Sequence, residues 1–279
     1  MGNSALLTDR GLVRVSGETA RDFLQGLFTC DMAQVGPDSP AFGALLTPQG
    51  KILFDFLVFE RNDEFLLDCR SELAGELAKR LIFYRLRAPV EIADVSDSHD
   101  IIAGWGTDAL PDGASIDPRL FSLGWRMITS PGAFTASVSL EDYHTHRISL
   151  GIPDGGMDYV YGNTFPHEAD MDLLKGVSFS KGCYVGQEVV SRMENRGTAR
   201  TRIIPVKVMG ETPAPGTEIR AGERPVGTFG SAANGLGIAL VRTDRVSGAL
   251  AEKALLLAGD AEIVPATSQW ADFGLIVDR

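Results

Sequence analysis

Cysteine is scarce in this chain. Its 279 residues hold three, Cys30, Cys69 and Cys183, far apart in sequence and never as a CxxC pair. An odd, scattered set excludes a disulfide framework and a structural zinc site, and no tightly bound metal is expected. Free cysteines of this kind fit a reducing compartment. Positive charge is short as well: 26 Lys and Arg stand against 37 Asp and Glu, a net charge of −11. That balance argues against a chain built to wrap nucleic acid or to lie on anionic lipid, so neither nucleic acid nor membrane is an expected partner. A run of about 18 apolar residues, the length of a membrane-spanning helix, is absent. The first fifteen residues hold no apolar stretch of signal-peptide length, and Leu6 stands where a myristoylation motif needs Ser or Thr. The expected location is the cytoplasm, or the mitochondrial matrix in a eukaryote. Internal repeats and low-complexity segments are missing too.

What is present reads as an ordinary globular chain, 44% hydrophobic and 23% charged, long enough for two domains. Leu6–Val15 alternates as a strand, and Glu18–Phe28 places Ala20, Phe23, Leu24, Leu27 and Phe28 on one helical face, capped by Ser16 or Gly17. Strands at Ala41–Leu46 and Lys51–Glu60 flank a turn, Thr47-Pro48-Gln49-Gly50. The second of them is apolar at nearly every position, the pattern of a strand buried on both faces, with Asp55 in its middle. A carboxylate there needs partners. It either opens into a ligand pocket or is tied into a local hydrogen-bond network. Glu64–Cys69 reads as a strand, Ser71–Tyr84 as a helix, Ala88–Val95 and Ile101–Trp105 as strands, Pro111–Pro118 as a loop, 119–129 as strand-like and Leu140–Leu150 as a helix. Tyr84, Arg85 and Arg87 either reach a ligand or complete a basic helix end. His144 and His146, two apart on a helix, point to different sides and do not form a metal pair.

Ile152–Thr164 is a long loop running into Phe165-Pro166-His167-Glu168, where Glu168 is either a site carboxylate or an exposed loop acid. After Arg202 short strands with Gly/Pro turns follow closely: Ile203–Met209, Glu218–Arg220, Pro225–Phe229, Gly235–Val241, Leu255–Leu257 and Phe273–Val277. They indicate a small β-barrel or sandwich. The expected domains are 1–202 and 203–279.

The stretch Lys175–Arg192 concentrates the chemistry. Cys183 lies between Lys181-Gly182 and Tyr184-Val185-Gly186-Gln187-Glu188, where the glycines suggest a turn and a helix starts near Gly186 or Gln187. A thiol before a helix N-terminus with a lysine nearby is a candidate reactive cysteine; the plainer reading is a small apolar filler. Residues 181–202 carry five basic and two acidic side chains, whereas 1–180 carry 14 and 26. Lys181, Arg192, Arg196, Arg200 and Arg202 thus form a basic island, suited to an anionic ligand or simply to solvent.

Lys181-Gly182-Cys183-Tyr184-x-Gly186-Gln187-Glu188 fills all seven defined positions of an eight-residue signature and resembles that of the YgfZ family. These are folate-binding, GcvT-like proteins linked to iron–sulfur cluster maintenance. Val15-Ser16-Gly17 with Phe23-Leu24-Gln25-Gly26, then Gly43–Lys51, Tyr84–Arg87, Gly151-Ile152-Pro153 and Phe165–Glu168 carry the resemblance along the whole chain. It implies an α+β, GcvT-like folate-binding fold with a C-terminal β-barrel, related to the aminomethyltransferase (T-protein) of glycine cleavage. It also implies tetrahydrofolate or a one-carbon derivative as cofactor and iron–sulfur client or assembly proteins as partners. Asp55 falls where the T-protein family places its catalytic aspartate, and Glu168 where that family has a pterin-contacting glutamate. The T-protein lacks the KGC cysteine. The candidate site is therefore Cys183 and Asp55 as reacting groups, with Asp55, Glu168, Lys181, Gln187, Arg192 and Tyr84 as folate contacts. The expected role is an accessory protein of iron–sulfur assembly, maintenance or repair. The alternative is a folate-dependent aminomethyl or methyl transferase.

Overall fold

The computed structural model describes residues 2–107, 109–197 and 199–275. They form two compact units, one of residues 1–143 with 174–189 and the other of residues 144–173 with 190–279.

The first unit holds two antiparallel sheets. Strand β2 (Arg10–Ser16) takes most of the stretch expected as a strand, Leu6–Val15, and strand β1 (Asn3–Leu6) precedes it, sharing only Leu6 with that stretch. A turn closed by Arg10 N–H to the Leu7 carbonyl (3.2 Å) divides them and sends them to different sheets. Helix α1 (Ala20–Gln25) is shorter than the expected Glu18–Phe28. Its cap is Thr19 rather than Ser16 or Gly17, because Gly17 at φ 116° is still turning the chain. At the other end Phe28 leaves the helix to bridge to Leu45. Strands β3 (Ala41–Leu46), β4 (Ile52–Arg61) and β5 (Glu64–Arg70) follow as expected. Helix α2 (Ser71–Arg85) buries Ala74, Leu77, Ala78 and Leu81, the i, i+3, i+4, i+7 stripe of an amphipathic helix. Strand β6 (Glu91–Asp94) completes the sheet β3-β4-β5-β2-β6. Strand β4 has a neighbour on each edge and is buried along most of its length, which is what its apolar run anticipates.

The second sheet, β1-β7-β9-β8, adds β7 (Asp100–Trp105), β8 (Ala114–Ile116) and β9 (Trp125–Thr129). Strand β8 lies inside the segment expected as a loop, while residues 121–123 form a single 3₁₀ turn rather than strand.

Helix α3 (Leu140–Ser149) and helix α4 (Gln187–Arg196) each straddle a unit boundary in sequence. The second unit is built on a closed barrel, β10-β13-β12-β11-β14-β15. Its strands are β10 (Thr201–Met209), β11 (Glu218–Ala221), β12 (Arg224–Ala233), β13 (Leu236–Arg242), β14 (Leu256–Ala258) and β15 (Ala261–Pro265). Ile204, Val206, Ile219, Phe229, Val241 and Ile263 fill it. Helix α5 (Thr243–Ala251) lies between β13 and β14, and β15 closes the barrel; neither is in the sequence reading. Phe273 and Leu275 pack on this core outside any strand, and the end of the expected Phe273–Val277 strand lies outside the described residues.

A bulge in β12 receives the long loop 152–164. The strand register shifts between Phe229 and Ala232. There the Asp158 carboxylate accepts from Ser231 N–H (2.7 Å) and Ser231 Oγ (2.6 Å). Arg147 of α3 holds the other Asp158 oxygen at 2.9 Å and donates to Ser231 Oγ at 3.1 Å. A Cβ on Gly230 would stand 2.5 Å from the Asp158 Oδ1, so the bulge takes a glycine.

Candidate functional site

The motif segment enters the first unit at residue 174 and is fastened to the chain between α1 and β3. Thr29, fully buried, donates its hydroxyl to the Gly176 carbonyl (2.6 Å) and accepts from Ala44 N–H (2.8 Å). Ser178 N–H donates to the Thr29 carbonyl at 2.8 Å. Three residues later Lys181 sends its ammonium to the carbonyls of Gln25 (2.8 Å), Phe28 (2.7 Å) and Cys30 (2.8 Å). Those carbonyls lie at and beyond the C-terminal end of α1, where partial negative charge attracts a cation. The same ammonium stands 5.3 Å from the centre of the Tyr184 ring. Burial pushes the Lys181 pKa down, and Cys30 and Asp31 work against that shift.

Lys181, expected as a folate contact, is engaged by the chain itself. An ammonium has three N–H donors, and main-chain oxygens take all three here. Lys181 fixes the loop.

The loop then crosses the β3–β4 turn. Thr47 closes that turn, its N–H donating to the Lys51 carbonyl (2.7 Å) and its carbonyl accepting from Gly50 N–H (2.8 Å). Gly50 and Gly186 meet at the crossing, both at φ 81°. A Cβ on Gly186 would lie 2.5 Å from the Thr47 carbonyl oxygen and 3.0 Å from Gly50 Cα. Two motifs separated by more than a hundred residues in sequence are thus in backbone contact, and their glycines permit it. Tyr184 is buried beside them, with its phenol pushed up to about 12 by desolvation.

Between these two anchors, Lys181 and Gly186, lies Cys183. It is exposed, four residues before Gln187 opens α4. Cys30 and Cys69 are buried, and desolvation pushes each thiol up to about 12. Cys30 packs onto Gly43, where a Cβ would sit 2.6 Å from its sulfur. Cys30 and Cys69 are packed in the interior, whereas Cys183 is exposed and fills no apolar space.

Asp55 lies in the middle of β4, only 6% exposed, opposite Ala44 in the β3–β4 ladder. Ala44 is the residue whose N–H caps the Thr29 hydroxyl, so Asp55 stands one strand pair from the clasp on Gly176. Gln187 donates its N–H to the Tyr184 carbonyl (3.3 Å) at the start of α4. Tyr84, half-buried, packs against the core at the end of α2.

Glu168 and Arg192 belong to the other unit. Glu168 Oε2 accepts from Phe165 N–H at 2.9 Å and closes its own loop. Arg192, Arg196 and Arg200 are exposed, but Arg202 is not part of a ligand-facing island. It grips Asp172 with two bonds (2.6 and 2.8 Å) and donates to the His167 carbonyl (2.7 Å). His167 Nε2 lies 3.0 Å from Glu194, and His167, Asp172 and Glu194 bring one ligand atom each within 4.8 Å of one another. Arg202 already supplies a cation to that group. Asp170, fully buried beside it, has its carboxyl raised well above the usual range by desolvation.

A second buried carboxylate of the first unit is absent from the sequence reading. Asp68 in β5 is 0% exposed and accepts from Arg10 Nε (2.6 Å) and Arg126 (3.0 Å). Arg126 continues to the Tyr143 hydroxyl (2.9 Å), which Arg119 also approaches (3.3 Å). Arg119 holds Asp117 through two bonds (3.0 and 2.7 Å). Desolvation raises the Asp117 pKa, but Arg119 and Arg126 outweigh it and the carboxyl falls below its ordinary value. The signal was available: Asp68 interrupts the apolar run Phe65–Cys69 just as Asp55 interrupts its own.

Residues 200–273 match the family model described as CAF17, C-terminal beta-barrel domain. The iron–sulfur cluster assembly factor IBA57, mitochondrial, of Mus musculus is 32% identical over 285 residues, covering 88% of this chain and 78% of that protein. Its Homo sapiens counterpart is 31% identical with the same coverage. The IBA57 homologue of Mycosarcoma maydis is 30% identical over 236 residues, covering 76% of this chain and 59% of that protein. Among solved structures, the glycine cleavage system aminomethyltransferase T from Bartonella henselae superposes with a TM-score of 0.75 over 99% of this chain and 88% of that one, at 14% identity. That likeness establishes the fold: α+β, GcvT-like, with a C-terminal closed six-stranded barrel.

Proposed function

The chain belongs to the IBA57 family of iron–sulfur cluster assembly factors, and on that premise we propose that it supports the assembly, maintenance or repair of iron–sulfur proteins through Cys183. The relatives named above are mitochondrial proteins, and the matrix is the proposed location in a eukaryotic host. The observation that carries the role of Cys183 is the contrast among three thiols. Two are buried and held protonated, and the third is presented on a loop fastened on either side. A thiolate is the form that binds iron. Iron–sulfur clusters generally take four protein ligands, so one cysteine serves as a shared ligand with a carrier or client protein, the cluster being cargo.

Tetrahydrofolate is the proposed cofactor, and Asp55 the proposed carboxylate for its pterin. When bound, tetrahydrofolate supplies a one-carbon carrier. A buried carboxylate in an apolar strand suits the donor edge of a pterin. Lys181 does not fit as a contact, because its donors are spent. Gln187 and Tyr84, in the same unit as Asp55, remain proposed contacts. Calorimetry with tetrahydrofolate tests this part: binding weakened by Asp55→Asn supports it, and no binding to the wild-type protein removes it.

The experiment for the main reading is complementation of a deletion strain, scored by the activity of an iron–sulfur enzyme. Cys183→Ala is expected to fail while accumulating normally, and full rescue by that variant ends the proposal.

A further inference from the structure

The outer face of α2 ends in a projection that the cysteine loop does not use. Lys79, Ile82 and Phe83 recur at i, i+3 and i+4 and so share the face turned away from the buried Ala74, Leu77, Ala78 and Leu81, and Leu86 caps the helix just beyond them. Phe83 is 72% exposed and Leu86 88%. Singly exposed apolar residues are ordinary, but here Ile82, Phe83 and Leu86 stand together at one helix end. Leu86 also has an unusual backbone. It ends α2 at φ 48° and ψ −102°, a region that favours glycine, yet it carries a branched apolar side chain into solvent. Neither local folding nor core packing calls for leucine there.

The surrounding charge states what such a projection would meet. Residues 77–90 hold Lys79, Arg80, Arg85 and Arg87 and no acidic residue, in a chain whose net charge is −11. The acidic residues of the same helix, Glu72 and Glu76, lie toward its other end. We propose that Ile82, Phe83 and Leu86 form a docking knob for a folded protein partner that offers an apolar cleft with an acidic rim, Lys79, Arg85 and Arg87 meeting that rim. An aromatic and an aliphatic anchor ringed by arginine is the composition of an interface centre. An anionic membrane is the poorer fit, because three side chains bury little lipid-facing area and the chain as a whole repels an anionic surface. This surface does not depend on the role of Cys183.

The test is photocrosslinking in the living host from a benzophenone amino acid at position 83 of the full chain, with the crosslinked peptide identified by mass spectrometry. It is read in parallel with Leu86→Gly and with Arg85→Glu/Arg87→Glu. Leu86→Gly relieves the backbone, so its melting temperature should hold or rise while the adduct falls at least about fivefold. The charge reversal should abolish the adduct. The expected adduct is a net-acidic peptide containing apolar residues, from another protein. A lipid adduct, an adduct with a second copy of this chain, a basic peptide, or undiminished crosslinking in Leu86→Gly would each overturn the proposal. So would the absence of any adduct.

Discussion

Gly50 and Gly186 face each other at φ 81° with no room for a side chain on Gly186, whose Cβ would enter to 2.5 Å of the Thr47 carbonyl. The contact joins the β3–β4 turn to the loop that bears Cys183. Gly186→Ala is therefore expected to destabilise the protein by at least about 1–3 kcal/mol, from backbone strain and overpacking together. Urea unfolding measures it. A midpoint equal to wild type would show that the crossing is looser than described.

Lys181 governs the other side of the same loop. Lys181→Met leaves the carbonyls of Gln25, Phe28 and Cys30 without their donor, at a cost of about 1–3 kcal/mol. Limited proteolysis should then cut within 176–185 faster than in wild type. Lys181→Arg should not restore protection, because a planar guanidinium cannot direct three bonds to converging oxygens as an ammonium does. Full protection in the Met variant would contradict the role assigned to Lys181.

The thiols give a pH prediction with a definite sign. Cys30 and Cys69 are raised from 9.0 to about 12 in the folded chain. A group raised on folding contributes its full stability below the unfolded value and loses it as pH climbs toward the folded value. Stability should therefore be unaffected by these thiols below pH 9 and fall between 9 and 12. At about pH 10.5 the loss is on the order of 2 kcal/mol per thiol. Urea midpoints at pH 8 and 10.5 measure it, and Cys30→Ala/Cys69→Ala should lose most of the alkaline sensitivity. A thiol reagent at pH 8 should count one cysteine in the native protein and three in denaturant. Prompt reaction of a second native thiol would contradict the burial.

How much of this is legible in sequence depends on the range of the interaction. The apolar run of β4, the turn at Thr47–Gly50 and the start of α4 at Gln187 are local patterns, and all are readable. The barrel is readable from its Gly and Pro spacing, but α5 is not, since its buried residues Val246 and Ala249 are too few and small to mark a face. The three bonds of Lys181 span more than 150 residues of sequence, and no local pattern carries them. Lys181 therefore reads as part of a basic island although its charge is consumed inside the unit. Arg202 misleads in the same way, since its partner Asp172 lies 30 residues upstream in an unpatterned loop.

Asp158 is the counterpart anchor of the second unit. Asp158→Ala leaves the buried Arg147 without its carboxylate and Ser231 without its acceptor. Breaking a buried pair from one side costs about 3–5 kcal/mol. Thermal unfolding should register this as a large drop in melting temperature, and a change of only one or two degrees would show that the loop is held by something else.

On the proposed function, the loop fastened by Lys181 and Gly186 serves to present Cys183. The most direct test places Cys30→Ala, Cys69→Ala and Cys183→Ala side by side in a deletion strain at matched protein level, with the activity of an iron–sulfur enzyme as the readout. Activity is expected near the deletion level for Cys183→Ala and near wild type for the two buried sites. Wild-type activity with Cys183→Ala would contradict it.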